Sequence, residues 1–109
     1  MAKLELQSRE EFGRLLKRIE NGILRGSMSA SLEASSDFQS GDARCSVRVF
    51  ERYSYWGKNR VSLSVTLFQK GNGPVQLCAV TSGGSQALFF KLNTWGEEAF
   101  LDKLRDLVK

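Results

Sequence analysis

The chain has no histidine, only two cysteines, a single proline and no apolar run near the ~20 residues that a membrane-spanning helix needs. Without histidine, the side chain that most readily moves protons near neutral pH is missing, and the Ser-His and Cys-His nucleophile arrangements are excluded. No GxSxG turn, Walker loop or cluster of metal-ligand spacing occurs. A catalytic carboxylate pair would have to come from Glu51 and a partner that the sequence does not locate. Cys45 and Cys78 each lie inside an apolar strand-like run, where a thiol behaves as a small hydrophobe, and neither has a base beside it. The opening Met1-Ala-Lys-Leu-Glu-Leu6 lacks the apolar centre of a secretory signal. These absences predict a cytoplasmic protein that is not an enzyme, with no cofactor, no metal and no membrane partner.

What is present suits one globular domain over residues 1–109, with 41% hydrophobic and 26% charged residues. The net charge of +4 is concentrated along the chain. Residues 44–60 hold Arg44, Arg48, Arg52, Lys58 and Arg60 against Glu51, whereas residues 1–43 sum to −1 and residues 61–109 to +1. A local positive stripe suits an anion, an acidic partner or a nucleic-acid backbone, and also suits ordinary solvation of an exposed face.

Leu4 and Leu6 alternate with Lys3 and Glu5 as in a short edge strand. Ser8 with Glu11 forms a capping box, Phe12, Leu15, Leu16 and Ile19 form one helical stripe, and Asn21-Gly22 predicts the helix end. From Ser27 the period becomes two through Ala34, and the small polar residues of 35–42 read as a turn. Arg44 to Trp56, Arg60 to Lys70, Val75 to Thr81 and Gln86 to Leu92 read as strands, with a tight hairpin at Ser82-Gly83-Gly84-Ser85. Thr94 with Glu97 makes a second capping box before Ala99, Phe100, Leu101, Leu104, Leu107 and Val108 at helical spacing. The predicted fold is a two-layer α+β domain, an antiparallel sheet of about five to six strands with an N-terminal and a C-terminal helix packed on one face.

Alternation in the two longest strands allows both faces to be read. The odd set, Cys45, Val47, Val49, Glu51, Tyr53 and Tyr55 followed by Val61, Leu63, Val65 and Leu67, is predicted to build the core. Keeping both odd runs on one face requires a connection of odd length, which Gly57-Lys58-Asn59 would provide as a three-residue hairpin. Gly71-Asn72-Gly73 would likewise pair Leu67 with Leu77 and Val65 with Ala79, and a Gly83-Gly84 turn would pair Leu77 with Phe90 and Ala79 with Leu88. Glu51 then falls on the core face opposite Val65, as a buried acid or base, or else as a residue at a bulge or paired with a nearby lysine or arginine.

The even set is predicted to form the uncovered face, mixing arginines and hydroxyls with Phe50, Trp56 and Phe68, next to Cys78, Val80, Ala87 and Phe89. Its candidate binding residues are Arg48, Phe50, Arg52, Phe68 and Phe89. Three uses compete. The face pairs two copies as a homodimer, with aromatics as an interface core. It binds nucleic acid, with Arg44, Arg48, Arg52 and Arg60 on phosphates and Phe50, Phe68 or Phe89 stacking bases. Or sheet and C-terminal helix enclose a small apolar ligand, the order of elements being similar to a shortened helix-grip fold.

The phrases Arg48-Val-Phe-Glu-Arg-Tyr53 and Thr81-Ser-Gly-Gly-Ser-Gln86, followed by Phe89-Phe-Lys91, Asn93-Thr94 and Gly96-Glu97, resemble an uncharacterised group of small bacterial proteins of unknown function. The resemblance spans most of the chain and implies a bacterial cytoplasmic origin. It implies no activity and no site residues.

Overall fold

Among the described residues, five strands form one sheet in the order β1-β5-β4-β3-β2, and every neighbouring pair is antiparallel. The computed structural model describes residues 2–53, 60–83 and 100–108. The strands are β1 (Ala2–Ser8), β2 (Ser31–Ser40), β3 (Ala43–Tyr53), β4 (Arg60–Lys70) and β5 (Val75–Gly83). Helix α1 (Phe12–Arg25) follows β1, and residues 100–107 form a second helix, α2. The fold is therefore α+β, built on an antiparallel sheet.

Helix α1 keeps the expected stripe but shifts both ends. Its N-cap is Glu11, whose carboxylate accepts hydrogen bonds from the backbone N–H of Gly13 and Arg14, while Ser8 instead accepts from Glu10 N–H. Those two N–H donors hold the exposed Glu11 carboxyl below its usual range. The helix also runs past the predicted stop at Gly22, because Ile23 extends the buried stripe of Phe12, Leu15 and Ile19 by another turn. Gly22 serves a different purpose there. A Cβ at that position would overlap the Leu107 side chain, so the missing side chain lets α1 and α2 approach.

The predicted turn over residues 35–42 is mostly strand. β2 continues to Ser40, and only Gly41-Asp42 turns the chain, with Gly41 at φ +59° in the first central position that a type II′ hairpin reserves for glycine. Serine and aspartate are poor strand formers, so pairing with β3 decides the matter over local preference. A register shift between Leu32 and Ala34 marks a bulge at Glu33.

Three pairings test the predicted register. The Leu67–Leu77 and Val65–Ala79 pairs occur as expected. On the other edge of β5 stands β1, with Leu6 beside Leu77 and Leu4 beside Ala79, where the reading had expected Phe90 and Leu88, which lie outside the described residues. Ser82 and Gly83 belong to β5, paired with Ser62 and Val61. The remainder of that hairpin, the Gln86–Leu92 strand, the Gly57-Lys58-Asn59 turn, the Thr94–Glu97 capping box, Trp56 and Phe89 lie outside the described residues.

The third pairing reverses β3. Tyr53 faces Arg60, so six residues separate the strand ends, and an even count sends the odd residues of β3 to the side of the even residues of β4. Phe50, and not Tyr53 as the predicted register required, stands opposite Leu63 and shares its face with Thr81 and Ala2. One cluster joins Phe50, Val61, Leu63, Val65, Leu67, Val75, Leu77 and Ala79 of the sheet to Phe12, Leu15, Ile19 and Ile23 of α1 and Phe100, Leu101 and Leu104 of α2.

Candidate functional site

The reversal of β3 separates the residues that the sequence reading had grouped. Phe50 is fully buried in the core and cannot meet a ligand on an open face. Arg48 and Arg52 lie on the same core side. Phe68 faces the other way, beside Cys45. The expectation of one shared arginine–aromatic face is thus corrected, since register places the arginines and Phe68 on opposite sides of the sheet.

The core-side arginines bind the protein to itself. Arg48, 7% exposed, donates from Nε to Glu20 of α1 at 2.6 Å, from Nη2 to Asp37 of β2, and from Nη1 to the carbonyls of Ser36 and Val47 at 3.2 and 3.0 Å. Ser46 donates to the same Asp37 at 2.6 Å. Burial works against the Arg48 charge, but the Glu20 and Asp37 carboxylates outweigh it and raise its pKa. Arg44 lies over the Phe12 ring at 3.9 Å and Arg52 over the Phe100 ring at 4.3 Å, so each sets its planar head across an aromatic of a helix, Phe12 of α1 and Phe100 of α2. Burial lowers the pKa of Arg52.

Glu51 also changes sides. It faces Ser62 and Ser31 rather than Val65 and pairs with Arg60 at 2.7 Å, while Arg60 also reaches Glu33 and the Tyr53 ring. The arginine-paired alternative therefore holds, and the buried acid or base does not. Cys45 and Cys78 are free thiols, half-buried on the face away from the core. β4 runs between their strands, a separation of roughly two strand spacings, ~9–10 Å, which exceeds the reach of a disulfide.

This outer face is built row by row across the sheet. One row runs Lys3, Val80, Ser64, Val49, Ala34, and the next runs Glu5, Cys78, Thr66, Val47, Ser36. A third runs Gln7, Gln76, Phe68, Cys45, Phe38. Valines on β3 and β5 flank the hydroxyls of β4, and two phenylalanines flank Cys45, Phe38 being 63% and Phe68 38% exposed. An open depression of about 320 Å³ between Phe38, Ala43, Cys45 and Phe68 lies where the β2–β3 hairpin ends. Phe38, Val47 and Val49 are contributors that the sequence reading placed elsewhere. The available signal was Phe38 itself, an isolated aromatic continuing the period of two from Ala34 through a run that otherwise reads as a polar turn.

A family model matches the chain over its whole length, residues 1–109. The chain belongs to the family of unknown function DUF6054. No curated protein and no solved structure matches it. The resemblance to an uncharacterised family is correct, and DUF6054 carries no activity to transfer. Among the described residues no group of His, Cys, Asp or Glu is arranged to hold a metal ion, and no helix is long and apolar enough to cross a membrane. Chemically, the outer face offers hydroxyls, thiols and apolar surface, with Lys3 and Glu5 along its β1 edge.

Proposed function

We propose that this member of DUF6054 is a non-catalytic association domain that pairs with a second copy through the outer face of its sheet. In this arrangement the whole chain is one domain, both helices lie over the core face, and the protein works in the bacterial cytoplasm. The observation that supports it is the apolar surface on a sheet face that polar residues would normally occupy, with Val47, Val49 and Val80 flanking the β4 hydroxyls and Phe38 and Phe68 exposed at one end.

The area is adequate. Five strands at about 4.8 Å spacing and paired lengths of seven to eleven residues at about 3.3 Å give a face of roughly 600–700 Å². Two such faces bury about 1,300 Å², within the range of specific interfaces. The Lys3–Glu5 and Glu51–Arg60 ion pairs stand on the rim, where charge tolerates a two-fold neighbour.

Size-exclusion chromatography with light scattering at micromolar concentration tests the reading. A dimer insensitive to salt is expected, converted to a folded monomer by Val49→Lys or Phe68→Lys and left intact by Lys103→Gln. A monomeric wild-type chain refutes it.

A further inference from the structure

Ion pairing in the described residues is one-sided. Every described carboxylate has a partner: Glu5 with Lys3, Glu10 with Arg18, Glu11 with the start of α1, Glu20 and Asp37 with Arg48, Glu33 and Glu51 with Arg60, Asp42 with Lys70, Asp102 with Arg105, and Asp106 within the protein. Apart from Arg44 and Arg52 of β3, which lie over the Phe12 and Phe100 rings, five cations have no ion-pair or side-chain hydrogen-bond partner among the described residues: Arg9, Arg14, Lys17, Arg25 and Lys103. All five belong to the helical layer. Arg14, Lys17 and Arg25 are exposed on the side of α1 opposite its buried stripe, and Arg9 is exposed just before the helix. Lys103 lies against Gly26, at the end of α1. Most of the exposed positive charge without a carboxylate partner is therefore displayed along α1 and beside its ends, with Arg44, stacked on Phe12, as the exposed exception on β3.

We infer that the outer face of α1, extended by Lys103, is a binding surface for the phosphodiester backbone of nucleic acid. From Arg14 to Arg25 the cations extend over about 16 Å of helix, the axial length of about five phosphates on one strand of a duplex. The face carries no aromatic on which a base would stack, so the contact is to backbone and independent of sequence. A lipid surface fits less well, because the apolar stripe of α1 is used up in the core and only Leu24 is exposed as an anchor. This surface lies apart from the outer sheet face and does not depend on self-association.

The test is fluorescence anisotropy of the full chain with short RNA and DNA single strands and a short duplex, between about 50 and about 200 mM salt. Four backbone contacts to the duplex give a slope of about −3.6 in log affinity against log salt, a fall of about 150-fold over that range. The triple variant Arg14→Gln, Lys17→Gln, Arg25→Gln keeps its circular dichroism spectrum, since these exposed side chains make no ion pair or side-chain hydrogen bond, and its slope moves toward zero by about 2.7. Lys70→Gln, at the far end of β4, serves as the control and leaves binding unchanged. Failure of the wild type to bind any of the three probes at the lowest salt overturns the inference. So does an unchanged slope in the triple variant, or binding to phosphatidylserine–phosphatidylcholine vesicles without binding to nucleic acid.

Discussion

Replacing Arg48 with methionine separates the observed register from its one-residue alternative. In the structure Arg48 shares the face of Val65, and its guanidinium joins α1, β2 and β3 through Glu20, Asp37 and two carbonyls. In the alternative register the same side chain stands in water and its loss costs almost nothing. Methionine retains most of the apolar stem and removes every donor, leaving the Glu20 carboxylate without its charge partner. Removing one partner of a buried ion pair costs about 3–5 kcal/mol, and because the side chains of Glu20 and Asp37 keep 26% and 63% of their surface in water, the lower end applies, about 3 kcal/mol. With a urea m-value of about 1.5 kcal/mol/M for a chain of this size, the unfolding midpoint falls by about 2 M. The double variant Arg48→Met, Glu20→Met recovers more than half of that loss, because the Glu20 charge is no longer left unpaired, while Asp37 stays mostly in water and keeps its hydrogen bond from Ser46. The pH dependence has a definite sign. Hydrogen bonds from Ser46 and then Arg48 hold the Asp37 carboxyl below its ordinary value, so the folded chain binds fewer protons than the unfolded one as acid is added. That stability is present above about pH 4 and is lost as the pH falls through the lowered folded value, and Arg48→Met flattens this acid limb while Ser46→Ala removes more of it. A midpoint shift below about 0.3 M for Arg48→Met, the size expected of an ordinary surface change, refutes both the network and the register.

Phe50→Ala should cost about 3–5 kcal/mol and Val49→Ala about 1 kcal/mol or less in urea unfolding, and the reverse order would mean that β3 presents its other face to the core. Gly41→Ala should cost about 1–2 kcal/mol through backbone strain alone, since φ is +59° and no atom lies within 4 Å of the added Cβ. Gly71→Ala, at φ +57° with Asp42 Oδ2 3.3 Å from the new Cβ, should cost at least as much, and a smaller loss in thermal unfolding would contradict the hairpin geometry. Both cysteines should react with a thiol-specific reagent in the unreduced protein, and recovery of a single thiol or none would contradict their separation across β4.

Legibility followed locality. β4 was readable to the residue, Arg60 to Lys70, because its alternation is clean and turn residues bound it on both sides. The stripe of α1 and the buried Phe100, Leu101 and Leu104 were readable because helical periodicity belongs to one element. β3 was misread because both of its faces carry a plausible signal. Cys45, Val47 and Val49 look like a core, while Arg44, Ser46, Arg48 and Arg52 surround the one residue, Phe50, that enters it. The arginines fit that side because their heads reach carboxylates or the rings of Phe12 and Phe100. The candidate site was assembled on that parity and divided with it, into a structural set on β3 and Phe68 on the outer face.

The sequence by itself determined β1, α1, β3, β4, β5 and α2 as elements, the α+β class, the β4–β5 register across Gly71-Asn72-Gly73 and the apolar stripes of both helices, because each depends on backbone geometry within a few residues. Only the tertiary structure decided that β1 takes the edge beside β5, that the Ser-rich run of β2 becomes a strand, that α1 continues through Gly22 to meet Leu107, and which side of β3 meets the core. Those outcomes depend on pairings between residues far apart in the chain. A single residue more or less in the connection between β3 and β4 would exchange the two faces of β3 while leaving every local pattern unchanged.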